Sequence, residues 1–264
     1  SSDWSSDVCS SDLSKRALMG DAARLAHKLG ETERALNAWQ ARLSEDPNDV
    51  DALDALIALL EEEERWEEVV AALGKRANAP VPPNQKEADL VQIAKVYGEQ
   101  LASPEKAIEA WKNVQEAFGE TEDTVNALVE YYGKAERWPE MVDLLEKASD
   151  KYTGRVTQRL MLLGNACRDF LKDTSRALAA YGKALLHDSR HEGAREGLKG
   201  LLENEESRAQ AAEALVNSYR ENEEWKGVVE LVEPRMAAAP NDRVRLQILK
   251  EAADIQESKL DNPW

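Results

Sequence analysis

A nine-residue pattern returns three times along this chain. Glu31-Thr32-Glu33-Arg34-Ala35-Leu36-Asn37-Ala38-Trp39 is followed by Ser103-Pro104-Glu105-Lys106-Ala107-Ile108-Glu109-Ala110-Trp111 and by Asp173-Thr174-Ser175-Arg176-Ala177-Leu178-Ala179-Ala180-Tyr181. Each copy sets an alanine one helical turn ahead of an aromatic ring, and Ala35, Ala107 and Ala177 recur at a nearly constant interval. A second pattern sits between them: Arg65-Trp66-Glu67-Glu68-Val69-Val70, Arg137-Trp138-Pro139-Glu140-Met141-Val142 and Glu224-Trp225-Lys226-Gly227-Val228-Val229. Trp66 and Trp138 keep the interval of the alanines, whereas Trp225 follows Trp138 at a longer one. The two kinds alternate, so the longer period is a pair of units and each unit is half of it. The extra length before Trp225 predicts one additional helix, Arg195 to Glu203. A unit of this size is one supersecondary element that cannot bury its apolar face alone and must stack on its neighbours.

The units read as helix pairs. In Lys86 to Leu101 the apolar residues Leu90, Ile93, Ala94, Tyr97 and Leu101 follow i, i+3, i+4, i+7, i+11, one face of a 3.6-residue helix. Pro104 opens the next helix, where its missing N–H is harmless, and Ile108, Trp111 and Val114 form its buried stripe. Pro47, Pro80 and Pro240 close units, because proline cannot continue a helix. Only 13 glycines and 9 prolines interrupt 264 residues dominated by strong helix formers. Val and Ile show none of the alternation a strand requires. The helical spacing of Trp39, Trp66, Trp111, Trp138 and Trp225 predicts that all five are core.

A small residue opening the second helix, an aromatic four on and a proline twelve on resembles the tetratricopeptide repeat (TPR); Ala35, Trp39 and Pro47 match all three positions. Leu128 with Tyr132, Leu215 with Tyr219 and the pair Leu163-Gly164 match first-helix positions of the same family. Ile57, Val129 and Val216 depart from it, standing where the family has a small residue. The resemblance covers roughly residues 15 to 264 and implies an all-α fold: a right-handed α-solenoid of antiparallel helix pairs, a TPR-like superhelix, without catalysis or cofactor. Residues 14–264 are expected to hold about six helical units. The first helix of a further, truncated unit follows, with Asp261-Asn262-Pro263 in the register of Ala102-Ser103-Pro104. Residues 1–13 repeat Ser-Ser-Asp three times with no helical or strand period. They resemble translated adapter sequence and are expected to be a non-native or disordered leader. The alternating long repeat points to a bacterial source.

Composition narrows the function classes. A formal net charge of −17 argues against nucleic acid or an anionic membrane surface as partner. No apolar run approaches the roughly 20 residues of a membrane span. Cys9 and Cys167 have no metal or redox spacing; Cys167 reads as a small core residue, which fits a reducing, cytoplasmic setting. His187 and His191 are four apart but are separated by Asp188-Ser189-Arg190, which reads as a turn, and no third ligand accompanies them. His27 reads as solvated. No phosphate-binding, dinucleotide, zinc-protease or nucleophile-elbow motif occurs. The run Glu61 to Glu64 reads as a solvated helix end rather than a catalytic pair, which would need a shaped pocket. No catalytic, cofactor-binding or metal-ligating residue is assigned.

The resemblance implies a concave groove lined by the first helices. Its positions carry over to Asp51, Asp54, Glu61 and Glu62 in one unit, Asp123, Asn126, Glu130 and Lys134 in another, and Glu213, Asn217, Arg220 and Glu221 in a third. This row is mostly acidic and points to a protein or peptide partner bearing Lys or Arg, steered by complementary charge. The leading function class is a non-enzymatic protein-binding scaffold. Two alternatives stand beside it: a structural spacer or self-assembly segment of a larger protein, and a non-catalytic part of an enzyme whose catalytic domain lies elsewhere.

Overall fold

The computed structural model describes the backbone of residues 4–260 and the side chains of residues 15–260. Among the described residues every regular element is helical. The expected terminal register at Asp261-Asn262-Pro263 lies outside them. Two compact units divide the chain, Ser1–Ala135 and Glu136–Trp264.

The first unit holds α1 (Trp4–Lys28), α2 (Thr32–Glu45), α3 (Val50–Glu62), α4 (Trp66–Asn78), α5 (Pro83–Lys95), α6 (Pro104–Phe118) and α7 (Glu122–Lys134). Residues 4–13, read from sequence as leader, lie within α1. Successive helices pack in turn, α1 on α2, α2 on α3, and so on to α6 on α7. The second unit holds α8 (Trp138–Lys151), α9 (Val156–Ala166), α10 (Thr174–His187), α11 (Glu192–Gly200), α12 (Glu205–Glu221), α13 (Trp225–Glu230), α14 (Val232–Ala238) and α15 (Asp242–Lys259). The helix read at Arg195 to Glu203 is α11 together with a 3₁₀ turn, Leu201–Glu203.

The repeat residues make the core. Ala35, Ala107 and Ala177 are fully buried, with Trp39, Trp111 and Tyr181 one helical turn on. Ile57, Val129 and Val216 are buried as well. The small residue is therefore dispensable at that position of the first helix. The prediction for the five tryptophans needs correction: Trp66, Trp138 and Trp225 are only half-buried. Each is the first residue of its helix, at the corner where the chain turns back. There an indole covers one side and meets solvent on the other. Trp138 stacks on the half-exposed Phe170 with ring centroids 3.7 Å apart, and Lys259 lies 5.4 Å from the Trp225 ring centroid.

A second correction concerns Lys86 to Leu101. The helix does not continue as one α face. A π-helical turn, Val96–Gln100, follows α5, and another, Cys167–Leu171, follows α9. Leu90, Ile93, Tyr97 and Leu101 are half-buried, while Asp89, Ala94 and Val96 form the buried face. A π turn absorbs one extra residue. The backbone closes accordingly: after α1, α3 and α12 an N–H bonds a carbonyl five residues back, as Arg65 to Leu60 (2.9 Å) and Glu224 to Tyr219 (2.8 Å). After the two π turns the reach is six, Ser103 to Tyr97 (2.8 Å) and Asp173 to Cys167 (2.9 Å).

Asp89 is 1% exposed, and the guanidinium of Arg76 makes its burial tolerable. Nε donates to both carboxylate oxygens at 3.1 Å, Nη2 donates to Oδ1 at 2.6 Å, and Gln85 Nε2 adds a bond at 2.9 Å.

Candidate functional site

The residues read as groove positions in the first unit lie on α3 and α7 and are exposed or half-buried. Most already hold a partner within the chain. Asp54 Oδ1 accepts from Arg76 Nη1 at 2.5 Å, and Asp51 lies 3.9 Å from Arg42. Glu61 accepts from Gln92 at 2.8 Å, Glu62 sits 3.5 Å from His27, and Glu130 accepts from Lys134 at 2.6 Å. Burial opposes the charge on Arg76, but the bonds to Asp89 and Asp54 outweigh it and hold the guanidinium more firmly protonated than usual. Asp123 is exposed in the first turn of α7 and Asn126 is half-buried. Asp51 and Asp54 line an open depression together with Arg16, Arg24 and Arg42, so guanidinium groups stand among the carboxylates at this end. His27 is exposed, with its Nε2 3.5 Å from Glu62.

The second unit brings three of its four predicted groove residues to one cavity of about 410 Å³. Glu213, Asn217 and Arg220 project from α12 at i, i+4, i+7 and form one wall. Val244, Gln247 and Glu251 project from α15 at i, i+3, i+7 and form the other. The buried Val216 and Ile248, 2% and 6% exposed, line it together with the half-buried Ala238 at the end of α14 and the exposed Pro240 just beyond that helix. Glu221 does not line the cavity.

Side chains bridge the two walls at one end. Glu251 accepts from Arg220 and from Arg235 Nη2, the latter at 2.8 Å. Partial burial pushes the Glu251 carboxyl up, but the two guanidinium groups outweigh it and hold the group below the usual carboxylate range. Arg235, Gln247 and Glu251 were missed in the sequence reading. Carrying the groove positions one helix further, onto α15, would have found the last two; Arg235 sits on α14, away from the first-helix positions, and no sequence signal marked it.

The remaining chemistry-bearing residues are structural. His187 ends α10. His191 caps α11, its Nδ1 accepting the Ala194 N–H at 3.2 Å. Cys167 is fully buried in the second π turn, and burial pushes its thiol up to about 11. Among the described residues no cluster of three His, Cys, Asp or Glu could hold a metal ion, and no helix is long and apolar enough to cross a membrane.

No protein-family model matches the chain, and no curated protein matches it. Solved structures similar to it are TPR proteins. One is the C-terminal part of a TPR repeat-containing protein from Cytophaga hutchinsonii: 14% identity, 86% of this chain and 98% of that one, TM-score 0.41. A second is YrrB, described as a TPR protein with an unusual peptide-binding site: 16% identity, 69% and 90% coverage, TM-score 0.43. A third is the TPR2AB domain of yeast Sti1 in complex with a pHSP90: 15% identity, 90% and 98% coverage, TM-score 0.40.

Proposed function

We propose that this chain is a non-enzymatic protein-interaction scaffold that holds a segment of a partner protein against its first helices. The observation that carries the reading is the cavity between α12 and α15, which Glu213, Asn217 and Arg220 line. Repeated helix pairs supply rigid walls, and loss of side-chain freedom on binding is small where the side chains already stand on packed helices.

In the first unit Asp51, Asp123 and Glu130 carry exposed carboxylates, which in this reading act together as an acidic surface. They select a partner bearing Lys or Arg, mainly through the rate of encounter. Neither nucleic acid nor membrane is the partner in this reading. The test is a pull-down with the whole chain as bait, at low and moderate salt, against the same bait carrying Asp51→Lys, Asp123→Lys and Glu130→Lys. Expected is a salt-sensitive partner that the triple variant no longer retains, with unchanged far-UV circular dichroism. A partner retained equally by both baits would remove the acidic surface from the proposal.

The exposed Leu18 and Leu25 of α1 and Leu29 just after it favour the alternative of a self-assembling or spacer segment in a larger protein. A folded bait that retains nothing and sediments as an oligomer would favour that alternative.

A further inference from the structure

Resting on the scaffold reading, we infer that the α12–α15 cavity takes one large apolar side chain from an extended segment of the partner, and that charge plays little part in holding it. Three observations point the same way.

The first is charge balance. Glu251 is shared by Arg220 and Arg235. That triad, with Glu213 on the α12 wall, leaves the cavity lining formally neutral. A charged partner side chain would have to compete with guanidinium–carboxylate bonds already made inside the protein. It would gain little beyond what those bonds supply. The acidic row of the first unit has no counterpart here.

The second is the apolar part of the lining. The buried Val216 and Ile248, the half-buried Ala238 and the exposed Pro240 contribute apolar atoms to a cavity of about 410 Å³, within the range that accepts a small ligand or a bulky side chain. Burial of Leu, Met or Phe there removes apolar surface from water on both partners.

The third is the pair of amides. Asn217 and Gln247 stand on opposite walls, each about one helical turn from the residue of the ion triad on its own helix. An amide both donates and accepts, which matches the alternating N–H and C=O groups of an extended main chain. A helical partner has spent those main-chain groups internally and could offer the two amides only side chains. The pair therefore favours an extended occupant.

The probe is a series of ten-residue peptides with a Ser/Ala/Gly background and one guest position, occupied by Leu, Met, Phe, Lys, Glu or Ser. Binding to the whole chain is read by methyl resonances of Val216, Val244 and Ile248 and by side-chain amide resonances of Asn217 and Gln247. Expected is binding of the Leu, Met and Phe peptides roughly tenfold or more tighter than the Ser peptide. Their affinity should change less than about twofold between about 50 and about 500 mM NaCl. Val244→Trp, which fills the cavity from its wall, should abolish the shifts, and Gln247→Ala should weaken binding while keeping the apolar preference. A Lys or Glu peptide that binds best, or a strongly salt-dependent affinity, would overturn the inference while leaving the scaffold reading intact. Silence of every resonance with every peptide, together with failure of the pull-down, would remove both.

Discussion

Tyr181 shows how much of this fold depends on single atoms. Its ring is fully buried, and its hydroxyl donates to Asn165 Oδ1 at 2.8 Å. Glycines from two other helices close on the ring: a Cβ built on Gly164 would lie 2.5 Å from Tyr181 Cε1, and one on Gly197 would lie 2.6 Å from Cζ. The hydroxyl tether and the opposite glycine leave the ring no room to retreat. Gly164→Ala is therefore expected to destabilise the protein by about 2–3 kcal/mol, the upper part of the overpacking range, measured by urea unfolding. A loss under about 0.5 kcal/mol, the scale of an ordinary surface change, would mean that the ring moves freely. Gly164 and Tyr181 were both legible in the sequence, as the Leu163-Gly164 pair and as the aromatic four after Ala177. Their contact was not, because sequence spacing places residues on faces and says nothing of which two faces meet.

At the scale of the element, the turns from first to second helix carry a shared strain. Gly30, Glu64, Ala102, Glu136, Lys172 and Glu223 all adopt positive φ, between 45° and 74°. The left-handed conformation ends each first helix, and glycine is the residue that adopts it without penalty. Of these six turns only the first uses glycine. An L-residue there costs about 1–2 kcal/mol, and replacement by glycine recovers that strain less the greater entropy glycine has in the unfolded chain. Glu64→Gly, Glu136→Gly and Glu223→Gly should each stabilise the protein by about 0.5–1 kcal/mol and add nearly independently, since each lies in a separate turn far from the others in sequence. Chemical denaturation of the single and triple variants measures this. A destabilising triple variant would show that the glutamates make compensating contacts in the folded state. These turns also mark what sequence reading could not see. Their residues share no chemistry, so nothing in a list of Gly, Glu, Ala and Lys announces a common backbone conformation. The π turns were hidden in the same way. Repeat units that differ slightly in length all fit a helix pair, and the extra residue was absorbed inside a helix rather than in a loop.

Charge acts on the whole molecule, where local pairs and global repulsion compete. The net charge of −17 makes the compact state repel itself. Against this stand many ion pairs, but most have a partner more than a third exposed, as Lys134–Glu130, Arg34–Glu31 and Lys183–Asp150 do. Pairs of that kind contribute little. Among the described residues Arg42–Asp49 and Arg76–Asp89 are well sheltered, with Asp49 8% and Asp89 1% exposed, and Arg235–Glu251 is partly so; salt screens sheltered pairs far less than it screens the surface. Added salt should therefore relieve repulsion more than it weakens attraction. The midpoint of thermal unfolding is expected to rise by about 2–4 °C between about 20 and about 300 mM NaCl, the shift that roughly 1 kcal/mol produces in a chain of this size. Calorimetry at several salt concentrations measures it. A falling midpoint would mean that the exposed pairs work as a network whose sum exceeds the repulsion. The acidic surface of the first unit would then belong to that network and be less free to meet a basic partner. The same experiment thus separates carboxylates that serve folding from carboxylates left over for binding, a distinction that net charge read from sequence does not make.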